Sequence, residues 1–231
     1  MLNCKKTMIK KKRITAALLA LGLGAVTMFS QFPVSAAEET AQNTDAAAQT
    51  ADPSVVVTNG IDGWPQASDI SSTAAIVMET STNTVLYSKN ADQPLYPASA
   101  VKIMTCLVAL ENSSLDDTVT FSHDAVYNVE DGSGNKNAIE EGDTLSVRDC
   151  LYLLLMRSSN QAANALAEHV GGSRDGFVKM MNEKTAELGC ENSHFANPSG
   201  LNDDTQLTSV YDMALIASAA YKNDTLLTIS K

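Results

Sequence analysis

The sequence is poor in the residues that build disulfide frameworks and metal sites. Beyond its N-terminal region it has only three cysteines, Cys106, Cys150 and Cys190, and its three histidines are scattered without the spacing of metal ligands. Three is an odd number, and Cys106 and Cys150 lie in apolar helical runs, where a free cysteine behaves as a small hydrophobic side chain. We therefore expect neither a disulfide framework nor a metal site.

Basic residues are also scarce. The 231-residue chain has 16 lysines and arginines against 27 aspartates and glutamates, which gives a formal charge of −11. Six of the basic residues lie near the N-terminus in a stretch without acidic residues, so the remainder of the chain carries a charge of about −17. Binding to nucleic acid needs lysine and arginine to displace counterions from the phosphates. A nucleic-acid partner is therefore excluded.

The N-terminal region has the three parts of a secretory signal peptide. A basic head is followed by the apolar run ITAALLALGLGAVTMF and by VSAA, whose small residues suit cleavage after Ala36 or Ala37. We assign residues 1–36 to a signal peptide; the alternative is an uncleaved anchor. Either one places the rest of the chain outside the cytoplasm. Residues 37–60 are small, polar and acidic and predict a flexible linker, which leaves 61–231 as one domain.

The domain begins with strand patterns and continues with helical ones. TAAIVMET and TVLYS are short runs rich in apolar and β-branched residues, joined by STN, and they predict a β-hairpin. Further on, SVRDCLYLLLM begins with Ser146 as a helix cap and is apolar enough to predict a central helix of the core. A later helix is predicted between Ser173 and Gly189. A hairpin followed by a cluster of helices predicts an α+β fold.

The first candidate for chemistry is the stretch YPASAVKIMT. Ser99 and Lys102 stand three residues apart at the start of a helical run, so both side chains lie on one face. The positive end of the helix dipole and the apolar surroundings both favour a neutral lysine, which could act as a base for a serine nucleophile. The alternative is a helix-start serine beside a lysine that extends to solvent. The same S-x-x-K pattern at Ser133 and Lys136 lies in a glycine-rich loop and is discarded.

The second candidate lies between two apolar helical runs, LYLLLM and NQAANALAEHV. Ser158, Ser159 and Asn160 form an S-x-N pattern there. Polar side chains in such a break point into the core or into a cleft, and buried hydroxyls and amides need hydrogen-bond partners. A Ser–Lys site would supply those partners. The alternative is an ordinary polar turn between helices.

Three blocks of the sequence resemble, in order and at similar separations, the penicillin-binding D-alanyl-D-alanine carboxypeptidases, a family of low-molecular-mass serine enzymes. The blocks are SKNADQPLYPASAVKIMT, LLLMRSSNQAANALAEHVGGS and HFANPSGLNDDTQLTSVYDMALIA. The resemblance covers about residues 70–228. It implies a fold like that of β-lactamases and penicillin-binding proteins, in which a helical cluster lies beside an antiparallel sheet.

The resemblance also implies roles for the candidate residues. Ser99 would be the acylated nucleophile, and Lys102 the base that takes its proton. Ser158 would relay that proton towards the leaving group, and Asn160 would bind the peptide of the substrate. The sequence departs from the family at Ser159, where glycine or alanine is frequent, and at Gln161, where an acidic residue is frequent.

The family has a third motif, K-T-G on a strand, which the sequence does not show. The nearest match is Lys184-Thr185-Ala186, which lies in a predicted helix and is interpreted as part of its solvated face. The resemblance therefore places K-T-G beyond residue 231. Of the sheet we expect only the N-terminal hairpin, and we expect the catalytic domain at 61–231 to be incomplete, with little activity.

The function implied by the resemblance is removal of the terminal D-alanine from peptidoglycan stem peptides ending in D-Ala-D-Ala. An acyl-enzyme would form on Ser99, β-lactam antibiotics would acylate the same serine, and no cofactor is implied. One alternative is a catalytically inactive fragment or wall-binding protein, favoured by the missing third motif. Another is a class A β-lactamase, which would need a glutamate that activates the deacylating water. Glu168 and Glu183 both lie in predicted helices, which disfavours that alternative.

Overall fold

The computed structural model describes residues 56–58, 63, 70–129 and 139–231. The predicted signal peptide 1–36 lies outside these residues, as do most of the predicted linker 37–60 and the discarded pair Ser133 and Lys136. Within the described part, strands come first and helices dominate the remainder.

The first sheet has three antiparallel strands in the order β1-β3-β2. They are β1 (Val56–Thr58), β2 (Ala75–Glu79) and β3 (Thr84–Lys89). The predicted hairpin is β2 and β3, whose turn is closed by the Glu79 carboxylate, which accepts hydrogen bonds from the backbone N–H groups of Ser81 and Thr82 at 2.8 and 2.9 Å. Strand β1 was not predicted, because its three residues fall inside the segment interpreted as a linker.

Strand β2 forms an edge of this sheet. In the part of the chain that the structure describes, no strand pairs with its outer side. Helix α6 packs against β2, whereas the side chain of Val77 in the middle of the strand is 52% exposed. The small sheet is thus joined to the helical part through β2. A second, smaller antiparallel sheet pairs β4 (Thr118–Thr120) with β5 (Thr144–Ser146).

Seven α-helices account for most of the remaining regular structure of the described chain, and serines begin most of them. The hydroxyls of Ser146, Ser159 and Ser173 each accept a hydrogen bond from a backbone N–H three residues later, which satisfies one of the free donors of a helix start. The caps predicted at Ser146 and Ser173 are therefore confirmed. The helices are α1 (Val101–Asn112), α2 (His123–Tyr127), α3 (Val147–Arg157), α4 (Asn160–Gly171), α5 (Arg174–Glu187), α6 (Val210–Ala220) and α7 (Asp224–Ile229).

The most deeply packed helix is α4. Its first eight residues are all buried, and it contacts α1, α2, α3 and α5. Helix α3, predicted to be central because of its apolar sequence, buries only one face and leaves Tyr152 and Met156 exposed at 41% and 61%. The alanines of α4 explain the difference, because small side chains let neighbouring helices approach closely from several sides. The largest fully buried apolar side chains of the core include Phe121, Phe177, Phe195, Met104, Leu151 and Leu166.

The three cysteines of the described chain are free thiols. Cys106 and Cys150 are buried, and Cys190 is half-buried. Burial raises the pKa of each thiol to about 12, with a contribution from the neighbouring Asp149 charge at Cys150 and from Asp212 at Cys190. All three therefore stay protonated near neutral pH.

Candidate active site

Ser99 lies in a tight turn immediately before α1. Pro97 and Ala98 lead into a short 3₁₀ turn (Ala98–Ala100), and Ala98 adopts a left-handed backbone with φ of 46°. A residue with a Cβ atom is strained in that region, and such strain persists only where surrounding contacts impose it. The turn leaves Ser99 exposed at the start of the helix, while Lys102, one turn further along, is only 3% exposed.

The Lys102 side chain reaches back to Ser99. Its ammonium nitrogen Nζ lies 3.3 Å from Ser99 Oγ, and it also donates a hydrogen bond to the backbone carbonyl of Ser199. Burial lowers the pKa of Lys102 from 10.5 to about 8, because an apolar environment disfavours the charged form. A substantial fraction of the lysine is therefore neutral near physiological pH, as a general base requires.

Ser158 approaches Ser99 from the end of α3. Its hydroxyl donates a hydrogen bond to Ser99 Oγ at 3.1 Å. Ser158 terminates α3 in a left-handed conformation (φ 51°, ψ 39°), and Ser159 starts the next helix by capping α4. The predicted break between two helices is confirmed at these residues. The sharp left-handed turn points the Ser158 hydroxyl at the start of α1.

Asn160 is the first residue of α4 and is 6% exposed. It follows Ser158 by two residues, so the same helix junction carries both. Beside this junction lies a groove of about 460 Å³ whose lining on α3 includes Tyr152, Met156 and Arg157 and which extends to Ser159. The groove is mostly apolar and reaches the junction between α3 and α4 at Ser159.

The sequence Lys184-Thr185, the nearest match to the K-T-G motif, lies in a helix as predicted. Lys184 and Thr185 belong to α5. The interpretation as a solvated face was wrong, because the Thr185 side chain is buried and the Lys184 side chain is 14% exposed between Glu111 and Glu187, at 2.7 and 2.6 Å. The pair serves packing between α5 and α1, and it lies outside the Ser99 site.

The sequence patterns did not predict that one further segment lies near Ser99 and Lys102. Residues 196–201, here called the 196–201 loop, supply the Ser199 carbonyl to Lys102 and the Pro198 carbonyl to the hydroxyl of Thr105, at 2.7 Å. Asn-Pro and Ser-Gly pairs predict turns, but a turn signal does not reveal which distant helix the turn contacts.

Two other kinds of feature are absent from the described residues. Among residues 70–129 and 139–231 and the short pieces before them, no group of three or more histidine, cysteine, aspartate or glutamate side chains could hold a metal ion. Within the same residues, no helix has the length and apolar character needed to cross a membrane.

The geometry has a definite chemical capacity. A hydroxyl that lies within hydrogen-bond reach of both a partly neutral amine and a second hydroxyl can be deprotonated as it attacks a carbonyl, and the second hydroxyl can carry a proton onward. Ser99, Lys102 and Ser158 form such a group. Such a group is chemically suited to acyl transfer through a serine ester.

Comparison with known proteins identifies the family. The family model described as D-alanyl-D-alanine carboxypeptidase (peptidase S11) matches residues 62–230. The chain therefore belongs to the D-alanyl-D-alanine carboxypeptidase family, as the three sequence blocks predicted.

Individual relatives agree with this assignment. The D-alanyl-D-alanine carboxypeptidase DacF of Bacillus subtilis is 37% identical over 156 residues, which cover 66% of this chain and 40% of the relative. A D-alanyl-D-alanine endopeptidase of Pseudomonas aeruginosa is 36% identical over 141 residues, covering 61% of this chain and 44% of the relative.

A solved structure gives the same result for the fold. The crystal structure of the D-alanyl-D-alanine carboxypeptidase DacD from Francisella tularensis aligns with a TM-score of 0.65 and 32% identity, covering 74% of this chain and 44% of that chain. The predicted α+β fold of the penicillin-binding-protein type is thereby confirmed. The chain spans less than half the length of each of these three proteins.

Proposed function

We propose that the protein is a serine-type D-alanyl-D-alanine carboxypeptidase that removes the terminal D-alanine of peptidoglycan stem peptides. One observation carries the proposal: Lys102 Nζ and Ser158 Oγ both lie within reach of Ser99 Oγ, at 3.3 and 3.1 Å, in a chain that belongs to this family.

In the first half of the reaction, Ser99 Oγ attacks the carbonyl carbon of the penultimate D-alanine. The hydroxyl proton passes to neutral Lys102, whose lowered pKa of about 8 suits a base at neutral pH. Ser158 relays a proton to the nitrogen of the terminal D-alanine as the carbon–nitrogen bond breaks. The products are a Ser99 ester and free D-alanine.

In the second half, water adds to the ester and Ser99 regains its proton as the ester bond breaks. Asn160, at the start of α4, is assigned to binding the peptide backbone of the substrate through its side-chain amide. The apolar groove along Tyr152 and Met156 adjoins the same junction and offers room for the preceding part of the stem peptide.

The proposed partners follow from this chemistry. A stem peptide ending in D-Ala-D-Ala is the substrate, and a β-lactam is an alternative acyl donor that attaches to Ser99. Because peptidoglycan lies outside the cytoplasm, we place the protein there, in the cell wall or at the membrane, in agreement with the signal peptide predicted at 1–36.

A second candidate comes from the endopeptidase relative of Pseudomonas aeruginosa. The same acyl-enzyme chemistry would then cut a cross-link between two stem peptides, with an amino group of the neighbouring peptide as the leaving group in place of free D-alanine. The two functions differ only in the group beyond the scissile bond.

Labelling with a fluorescent penicillin tests the proposed function. The label is expected on Ser99, to disappear in Ser99→Ala, and to persist in Ser133→Ala, which alters the other S-x-x-K serine. Label that persists in Ser99→Ala would contradict the assignment. Release of D-alanine from a linear stem-peptide mimic, compared with cleavage of a cross-linked dimer, separates carboxypeptidase from endopeptidase. Rapid turnover of free penicillin would instead indicate a β-lactamase.

A further inference from the structure

The 196–201 loop is attached to the face of α1 that carries the candidate base. Lys102 and Thr105 stand one helical turn apart, so their side chains lie on the same face. Thr105 Oγ1 donates to the carbonyl of Pro198 at 2.7 Å, and Lys102 donates to the carbonyl of Ser199, the next residue. Two successive loop carbonyls therefore accept hydrogen bonds from two successive turns of α1.

A single side chain organises this loop. The amide oxygen Oδ1 of Asn197 accepts hydrogen bonds from the backbone N–H groups of Ser199, Gly200 and Leu201 at 3.2, 2.8 and 3.2 Å, and from the Ser199 hydroxyl at 3.2 Å. Its Nδ2 group donates to the Leu201 carbonyl at 3.0 Å. Gln206, which is buried, holds Asn197 in turn by accepting from its backbone N–H at 3.0 Å.

The loop also touches the turn that carries Ser99. A Cβ atom placed on Gly200 would lie 2.0 Å from the carbonyl oxygen of Ala98 and 3.0 Å from the backbone nitrogen of Ser99. Only a residue without a side chain can approach so closely. The same loop therefore contacts the nucleophile's turn through Gly200 and the base through Ser199.

We propose that Asn197 is a positioning residue for the reaction, because its side-chain amide fixes the Ser199 carbonyl that holds Lys102 in place. A neutral lysine has two N–H groups and one lone pair. With one N–H group bound to the Ser199 carbonyl, the amine cannot rotate freely, and its lone pair stays available to the hydroxyl of Ser99. The inference rests on the proposed function for the roles of Ser99 and Lys102.

Three substitutions and a matched control test the inference. Asn197→Leu removes every hydrogen bond of the amide, Asn197→Ser keeps one acceptor oxygen on a shorter side chain, and Asn197→Asp keeps the acceptor Oδ1. The control is Asn182→Leu. Asn182 also clamps this part of the chain, since it accepts from the Phe195 N–H at 2.9 Å and donates to the Phe195 carbonyl at 2.8 Å, but it holds no residue of the turn that carries Ser199.

The kinetic measurement is the acylation of Ser99 by fluorescent penicillin, resolved into a limiting rate and a half-saturating concentration. Loss of orientation at a reacting group costs up to about 100-fold, so Asn197→Leu should lower the limiting rate by about 10- to 100-fold with little change in half-saturation. Asn197→Ser should be intermediate and Asn197→Asp should recover most of the rate. Asn182→Leu should lower the thermal midpoint without this loss of rate.

A second measurement does not depend on activity. In protein with ¹³C-labelled lysine, the two Hε protons of Lys102 should give separate NMR signals, because the side chain is held in one orientation; Lys102→Arg assigns them. The signals should merge in Asn197→Leu and Asn197→Ser and remain separate in Asn182→Leu. If the unaltered chain takes no penicillin label, which an incomplete catalytic domain also explains, the NMR comparison alone decides the inference.

Two results would overturn the inference. In the first, folded Asn197→Leu and Asn197→Ser have the same limiting rate and the same Lys102 NMR signals as the unaltered chain. In the second, Asn197→Leu and Asn182→Leu lose the limiting rate of acylation equally, in step with their thermal midpoints. Asn197 would then be an ordinary stabilising residue. Should Asn197→Leu not fold, Asn197→Ser gives the same comparison.

Discussion

The hydroxyl of Ser158 lies 3.1 Å from the hydroxyl of Ser99, although 59 positions separate the two residues in the chain. Each serine depends on a left-handed residue for its placement: Ser158 is itself in that conformation, and Ala98 precedes Ser99. Neither residue is glycine, so both positions are strained. Packing of α4 against α1 and α3 brings the two strained turns together.

The first prediction is that Lys102→Arg abolishes acylation although the positive charge is retained. Arginine cannot lose its proton in a protein, so it cannot act as the base, and loss of a general base lowers rates by about 10²- to 10⁴-fold. Penicillin labelling and D-alanine release measure the effect. The control is Lys184→Arg, which changes a lysine held between Glu111 and Glu187 and should keep the activity of the unaltered chain. Substantial activity in Lys102→Arg would show that Lys102 has no role as a base.

The second prediction concerns the pH dependence of acylation. Burial lowers the pKa of Lys102 to about 8, and only the neutral amine accepts the Ser99 proton. The acylation rate should therefore rise with pH below about 8 and level off above it. Rates of penicillin labelling measured across this range give the profile. A midpoint close to 10.5, the ordinary value of lysine, would contradict the placement of Lys102 in an apolar environment.

The third prediction concerns stability. The pKa of Lys102 is about 8 in the folded chain and 10.5 when unfolded, so the unfolded chain binds more protons between these values and stability rises with pH there. Below pH 8 the buried charge costs about 3 kcal/mol, partly offset by the hydrogen bonds of Lys102. Lys102→Met should therefore raise the free energy of unfolding at neutral pH by about 1–2 kcal/mol.

Urea unfolding at several pH values measures this effect. The advantage of Lys102→Met should shrink as pH rises from about 8 towards 10.5. The control is Lys184→Met. Burial alone would lower the pKa of Lys184, but its hydrogen bonds with Glu111 and Glu187 raise it, so removing this lysine should destabilise the protein. If Lys102→Met raises the free energy of unfolding by the same amount at every pH, the cause is not the burial of the lysine charge.

The fourth prediction compares two glycines. Gly200 and Gly142 both have a left-handed backbone, with φ of 86° and 88°, but a Cβ atom would meet Ala98 only at Gly200. Gly142→Ala should cost about 1 kcal/mol of stability from backbone strain. Gly200→Ala should cost about 2–4 kcal/mol, because the collision adds to the strain, and it should also slow acylation. Thermal unfolding and penicillin labelling check both variants, and equal losses would show that the close contact at Ala98 is unimportant.

Local patterns in the sequence predicted the parts of the site that depend on neighbouring residues. The spacing of Ser99 and Lys102 predicted that both lie on one face of a helix. The polar residues between two apolar runs predicted the break before Asn160. Both signals lie within a few residues of the feature they predict. The same holds for the β2–β3 hairpin and for the helix caps at Ser146 and Ser173.

Contacts between distant residues could not be predicted in this way. The bond between Lys102 and the Ser199 carbonyl joins residues 97 positions apart, and nothing in a turn sequence indicates its partner. The depth of α4 was missed for a related reason. The more apolar sequence of α3 predicted that α3 would be the central helix, whereas burial depends on how many neighbouring elements surround a helix. The pairing of β1 with β3 also depends on residues far from β1 itself.

The raised thiol pKa values have a practical consequence for experiments on the protein. Thiolates react with alkylating reagents and with disulfides, whereas protonated thiols are almost inert. With pKa values of about 12, Cys106, Cys150 and Cys190 should react slowly. A single cysteine introduced at an exposed position such as Tyr152, on the groove that reaches Ser159, would therefore react before these three thiols. A fluorophore attached there would report on ligands entering the groove without prior removal of Cys106, Cys150 and Cys190.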